Sequence, residues 1–288
     1  MSYDARDGSR EHGMPVNLVL FRYGVATASV FGYTDAEQPI VRDNVTYVPV
    51  SVDTPAVQAS GSLDRKTLNL RLPSNTDVAQ LFRVYPPSYP VTMTIFRGHL
   101  TDDDVPIEWR AIWIGRILNG KHEGDGSHVC TFTCEPVATS LKRSGLRRRY
   151  QYLCPHVLYG RLCNANKGAV TFSVIAAEIG EAEVVLTPGW APADLIPNFS
   201  GGVIEWTTAA GNIEVRTILE IEETSNGHTV WMTGPTTGIL TATSLRLSLG
   251  CNHQMDHCLV LHNNIHNFGG QPWIPTSNPI GTFSNSFY

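Results

Sequence analysis

No apolar run in the 288-residue sequence approaches the roughly eighteen residues that cross a bilayer as a helix, the longest being pieces such as Val16 to Phe21. The sequence therefore predicts no membrane span. Met1-Ser-Tyr-Asp-Ala-Arg-Asp-Gly8 also lacks the apolar stretch of a secretory signal, so a chain made and kept in a reducing cytosol is expected. Charge is scarce too, at 16% of residues with a net −5, which excludes a global pull toward nucleic acid or anionic lipid. Any DNA contact would have to be local. The 25 Gly and 18 Pro follow no period, which excludes collagen-like and low-complexity sequence, and no internal repeat is evident. There is no Gly-x-Ser-x-Gly, no P-loop and no G-x-G-x-x-G, so phosphate-cradling and dinucleotide chemistry have no support. Cysteine is sparse as well: six are too few for a disulfide scaffold of this length. A chain this long buries about three-quarters of its surface and needs no such staples.

What is present speaks mainly with a period of two. Val91 to Arg97 and Ser127 to Cys134 alternate as half-buried strands do, and similar pieces recur at 17–23, 26–33, 46–52, 68–72 and 111–118. The stretch Ser74 to Tyr85 instead carries apolar residues at 78, 81, 82 and 85, which predicts a surface helix. A short helix is expected from Pro136 to Arg143. After it the texture changes, and strands resume at 170–176, 182–186, 202–207, 212–221, 229–233 and 245–249 with Gly and Pro turns between them. This spacing predicts a meander or small barrel. The expected organisation is a mainly β chain of two β-rich domains with a few short helices: an N-terminal β domain over 1–145, a second β domain over 146–261, and an extended arm over 262–288.

The cysteines divide into two kinds. Cys130 and Cys134 share one strand face with Phe132, their Cα atoms roughly 13 Å apart, and read as small core hydrophobes. Cys154-x8-Cys163 and Cys251-x6-Cys258 lie on either side of an 87-residue β excursion. If the pairs meet, four thiolates would clasp the start of the second domain to its end and suit zinc or an iron–sulfur cluster; buried thiols or two disulfides are the alternatives. His253 and His257 fall inside the second pair, with His262 and His266 after it. The i, i+4 histidines resemble a zinc protease motif, but Gln254 stands where the general-base Glu is required, leaving a mixed Cys/His zinc site or ordinary polar roles. Cys154-Pro-His156 places a thiol near an imidazole without an identifiable third group, which is thin support for nucleophilic catalysis. Lys142, Arg143, Arg147, Arg148 and Arg149 form a basic run that reads as an interface loop or a salt-sensitive acidic-partner contact. Arg149 or Arg161 could offset the residual negative charge of a cluster.

Two longer stretches are distinctive. Tyr150-Gln-Tyr-Leu-Cys154-Pro-His-Val-Leu-Tyr159-Gly160-Arg-Leu-Cys163 is followed by Gly250-Cys251-x6-Cys258 and then Asn267-Phe268-Gly-Gly270-Gln-Pro272-Trp-Ile-Pro275. This combination resembles a family of tail-tip or baseplate hub proteins of long, flexible-tailed bacteriophages and gene transfer agents, and is more distantly similar to the lambda tail tip protein L. The likeness covers residues 146 to 275 in detail, and the N-terminal domain agrees in length and character. Thr276-Ser-Asn-Pro279 departs from the family, where a Gly and an acidic residue are expected. The resemblance implies a structural virion protein, not an enzyme, that forms a trimeric ring joining the distal tail protein to the central hub and fibre. It further implies that Cys154, Cys163, Cys251 and Cys258 hold a [4Fe–4S] cluster, with zinc as the alternative. A tail-tip enzyme that degrades the cell envelope, using Cys154 or a zinc site, and a carbohydrate-binding β module are the competing expectations.

Overall fold

The computed structural model describes residues 3–9, 11–24, 29–55, 67–100, 107–124, 128–142, 150–225, 227–239 and 244–274. It divides into two compact units, Met1–Ser144 with Thr207–Glu214, and Gly145–Trp206 with Val215–Tyr288. The chain is mainly β with a few short helices.

The first unit is one eight-stranded sheet built from β1 (Pro15–Tyr23), β2 (Val30–Thr34), β3 (Ile40–Arg42), β4 (Val45–Pro49), β5 (Leu68–Pro73), β6 (Val91–His99), β7 (Arg110–His122) and β8 (Val129–Pro136). Their spatial order is β3-β4-β2-β1-β6-β7-β8-β5. The pairs are antiparallel except β2 with β4. β1 is central and buried on both faces: Val19, Phe21 and Tyr23 join the main core, while Leu18 and Leu20 pack with Tyr47 on the other side. That is why its sequence reads as a nearly continuous apolar run. Cys130, Phe132 and Cys134 face inward opposite Leu72, Leu70 and Leu68 of β5, all fully or almost fully buried. Burial pushes the Cys130 thiol up to about 11 and the Cys134 thiol up to about 12.

The unit's helices are brief: α1 spans Tyr3–Asp7 and α2 Asp77–Gln80. The expected helix over 74–85 shortens to this single turn, with Val78 and Ala79 buried. Tyr85 of the periodic stripe is exposed, and the Pro86-Pro87 pair that follows disfavours further helix. Phe82 still reaches the core, edge-on to Phe132 with centroids 5.5 Å apart. The turn Thr207–Glu214 belongs to this unit, with Glu214 accepting hydrogen bonds from Tyr23 and Ser88.

The second unit contains a closed six-stranded barrel of β9 (Thr171–Ile179), β10 (Glu183–Leu186), β11 (Val203–Thr207), β12 (Ile213–Thr224), β13 (Gly227–Met232) and β14 (Ser244–Ser248). Its order is β10-β13-β12-β11-β14-β9, so closure resolves the choice between meander and barrel. Val184, Leu186, Ile204, Trp206, Ile218, Val230, Met232, Leu245 and Leu247 fill it, and on β12 and β14 they alternate with the exposed Thr217, Leu219, Ser244 and Arg246. An α-helix, α3 (Met255–Val260), and a short 3-10 turn, Ile265–Asn267, follow the barrel.

Candidate functional site

The barrel brings the two cysteine pairs together. Cys154 and Cys163 lie just before β9, Cys251 and Cys258 just after β14, and β9 pairs antiparallel with β14 so that Thr171 faces Ser248. The hydroxyls of these two residues are 2.8 Å apart. An antiparallel ladder sets the lead-in of one strand beside the run-out of the other, so both pairs emerge at one end of the barrel. Gly250 sharpens the exit: a Cβ there would stand 2.1 Å from the Ser200 carbonyl oxygen, so only glycine lets the chain pass.

All four of Cys154, Cys163, Cys251 and Cys258 line one small hollow, with His156, His253, His262, Asn264 and Asn267 beside them. The centre of a water molecule has about 20 Å³ of it to occupy. All four thiols are free; Cys258 is buried and the other three are partly so. Cys258 feels the other three thiols and Cys251 two of them. Burial, then Cys251, Cys154 and Cys163, push Cys258 up to about 11. Burial raises Cys251 as well, opposed by the His253 N–H and helped by Cys163, Cys154 and Asp256. The Tyr159 hydroxyl is pushed up by burial and by Cys163 and Cys251.

N–H groups converge on the sulfurs from the same segments. The His253 backbone donates to Cys251 Sγ at 3.3 Å and the Gly269 backbone to Cys154 Sγ at 3.4 Å, while Asn264 Nδ2 lies 3.8 Å from Cys163 Sγ. A Cβ on Gly269 would strike the His156 ring at 2.6 Å, so glycine is what lets its N–H reach the sulfur. The two segments are laced together by the Cys154 N–H donating to the His253 carbonyl at 2.8 Å and by His253 Nδ1, 3.0 Å from the Cys154 carbonyl. The Tyr159 hydroxyl donates to the Leu249 carbonyl at 2.5 Å.

Three histidines, His156, His253 and His262, line the hollow beside the thiols. His262 Nε2 is 2.9 Å from the Gly250 carbonyl and therefore carries its proton there; burial lowers its pKa, which keeps the ring neutral. His156 Nδ1 is likewise committed to the Asn267 carbonyl at 3.0 Å. His266 is exposed. Among the described residues no group of three or more His, Cys, Asp or Glu side chains is arranged to hold a single metal ion. Arg161 is exposed, and Arg147, Arg148 and Arg149 lie outside the described residues.

Sequence reasoning missed Asn264 and Gly269, whose parts in the site depend on tertiary approach; the Asn-Phe-Gly-Gly wording at 267–270 could have marked Gly269, and no local signal marked Asn264. A hollow of about 1180 Å³ in the first unit is lined by Arg71 and Arg83 together with Asp53 and Glu123, and among the described residues no Phe, Tyr or Trp lines it. It offers no stacking platform for a sugar.

Three comparisons bear on this geometry. Residues 197–278, which include the second cysteine pair, match the model of a family described as phage conserved hypothetical protein BR0599. The chain is similar in structure to a chain of the "Virion of native gene transfer agent (GTA) particle", with a TM-score of 0.74 and 18% identity over 98% of this chain and 96% of that one. The two share a fold from end to end. No curated protein matches.

Proposed function

We propose that the chain is a structural protein of a phage-like virion, a tail-tip or baseplate hub component that forms a trimeric ring between the distal tail protein and the central hub and fibre. The observation that carries this reading is the likeness to a chain of a gene transfer agent virion over 98% of this chain and 96% of that one. The phage family matched over the second cysteine pair supports the same reading. His156 Nδ1, the nearest imidazole in sequence to Cys154, is engaged with a backbone carbonyl.

In this reading Cys154, Cys163, Cys251 and Cys258 hold a [4Fe–4S] cluster as a structural clasp. The residues fit such a group: four free thiols from two distant segments face one hollow, and N–H donors point at the sulfurs as they do around cluster thiolates. A tetrahedral zinc held by the same four thiols is the alternative occupant. Bound there, the cluster would supply cross-links between chain segments and couple metal uptake to folding.

The test is anaerobic purification followed by iron, sulfide and zinc analysis and a visible spectrum. About four iron and four sulfide per chain with broad visible absorbance is expected. One zinc and no colour would replace the cluster, and no metal at all would remove the clasp. Particles carrying Cys251→Ser should fail to complete their tails; normal infectious particles would overturn the assembly role of the site.

A further inference from the structure

We infer that Asn264 is the positioning residue that registers the two cysteine pairs against each other. This rests on reading the four thiols as one ligand set. Asn264 is 8% exposed and touches both pairs at once. Toward the first pair, its Nδ2 donates to the Cys163 carbonyl at 2.6 Å and stands 3.8 Å from Cys163 Sγ. Toward the second pair, its backbone N–H donates to the Cys258 carbonyl at 2.9 Å and its own carbonyl accepts from the Cys258 thiol at 3.2 Å. Its remaining acceptor, Oδ1, takes the Asn267 side-chain amide at 2.7 Å, which fixes the orientation of the carboxamide.

The chemistry requires an amide. A carboxylate would present only acceptors to a carbonyl and a thiolate, and an aliphatic side chain would leave the Cys163 carbonyl without this donor. His253 makes the complementary link, its backbone N–H donating to Cys251 Sγ and its Nδ1 lying 3.0 Å from the Cys154 carbonyl, so Asn264 is what ties Cys163 to Cys258. The two pairs are separated by 87 residues, so their relative register is not set by local chain geometry. The barrel delivers them to the same end, and Asn264 fixes how far each is advanced. Asn263, immediately before it, has φ +45°, a left-handed turn directly ahead of Asn264.

The experiment uses the full chain carrying Asn264→Ala, Asn264→Asp or Asn267→Ala. In the reduced, metal-free protein, iodoacetamide labelling is followed at each cysteine by peptide mass spectrometry, and hydrogen exchange over 230–232 and 245–247 reports the barrel. In Asn264→Ala, Cys163 and Cys258 should label about fivefold faster, the shift given by one ordinary hydrogen bond, while Cys154 and Cys251 stay within about twofold. Asn267→Ala should move the same two in the same direction by less. After anaerobic reconstitution with iron and sulfide, Asn264→Ala should lose iron to a chelator about tenfold faster. Asn264→Asp, matched in size but lacking both N–H donors, should also shift the visible absorption.

Unchanged labelling of Cys163 and Cys258, or an increase spread evenly over all four cysteines, would overturn the inference. If Asn264→Ala loses barrel protection, Asn267→Ala decides it. A wild-type chain that takes up neither iron nor zinc would refute the ligand-set reading, while the labelling pattern would still decide whether Asn264 registers the pairs.

Discussion

Tyr159 is held at φ +57°, a conformation that an aromatic residue adopts only at a cost of about 1–3 kcal/mol. Of the seven non-glycine residues with positive φ among those described, four surround the cysteines: Tyr159, Asn164, His253 and Asn263. Something must over-determine these turns, and the visible part is the Tyr159 hydroxyl bond to Leu249, its edge contact with His262 at 5.9 Å and the lacing of His253 to Cys154. The contrast with the N-terminal thiols is chemical. Cys130 and Cys134 sit in apolar surroundings with pKa values near 11 and 12, so the folded chain keeps protons that the unfolded chain releases from about pH 9 upward. Because the unfolded state then binds fewer protons, stability falls as pH rises through that range and is unaffected below it. Cys134→Ala should lower the stability of the first unit by about 1–2 kcal/mol at pH 7 through lost packing, yet flatten its decline between pH 9 and 11. Urea unfolding at both pH values checks this; an unchanged slope would remove the thiol from the explanation.

Among elements, the strands were the most legible in the sequence. Alternation located thirteen of the fourteen, because each half-buried strand writes its own pattern; the exception, Ile40–Arg42, has three residues and too few positions to show a period. The inward face of Cys130 and Cys134 was equally readable. Closure of the barrel, by contrast, depends on β9 meeting β14 across nearly the whole second unit, which no local pattern announces. Helix α3 was hidden because its single buried residue, Cys258, provides no apolar stripe. Residues 262–274 read as an arm, being rich in Asn and Gly, yet His262 and Asn264 are buried in the hollow, and there the polar side chains bond backbone instead of solvent. Gly250 sits between these elements, and its substitution is the sharpest test of how they are coupled. Gly250→Ala should cost about 1–3 kcal/mol of barrel stability, since its Cβ would collide with backbone that cannot rotate away. Thermal unfolding measures the loss, and a Tm equal to that of the wild type would show that the chain can leave β14 by another path.

At the scale of the molecule, the exposed large apolar residues are unevenly distributed. Tyr150, Tyr152, Leu153, Val157, Leu162, Met255, Leu259, Val260 and Trp273 all belong to the two segments that carry the cysteines, with Tyr150 and Trp273 each 86% exposed. A surface this apolar suits burial within an assembly, in keeping with the proposed virion role. Val157→Glu and Val260→Glu, at positions 77% and 75% exposed, should change the stability of the isolated chain by no more than about 0.5 kcal/mol. The same variants should be depleted from assembled particles; full incorporation, measured by mass spectrometry of purified particles, would place the contact surface elsewhere.

The placement of the pairs on either side of β9 and β14 also orders events in time. Synthesis at about 5 to 20 residues per second makes Cys251 roughly 4 to 18 seconds after Cys163, and every barrel strand is made in that interval. The first two thiols must therefore wait, reduced and unmatched, until the last strand closes the barrel. Completion of the four-thiol set is thus a signal, written into chain order, that the second unit has finished folding.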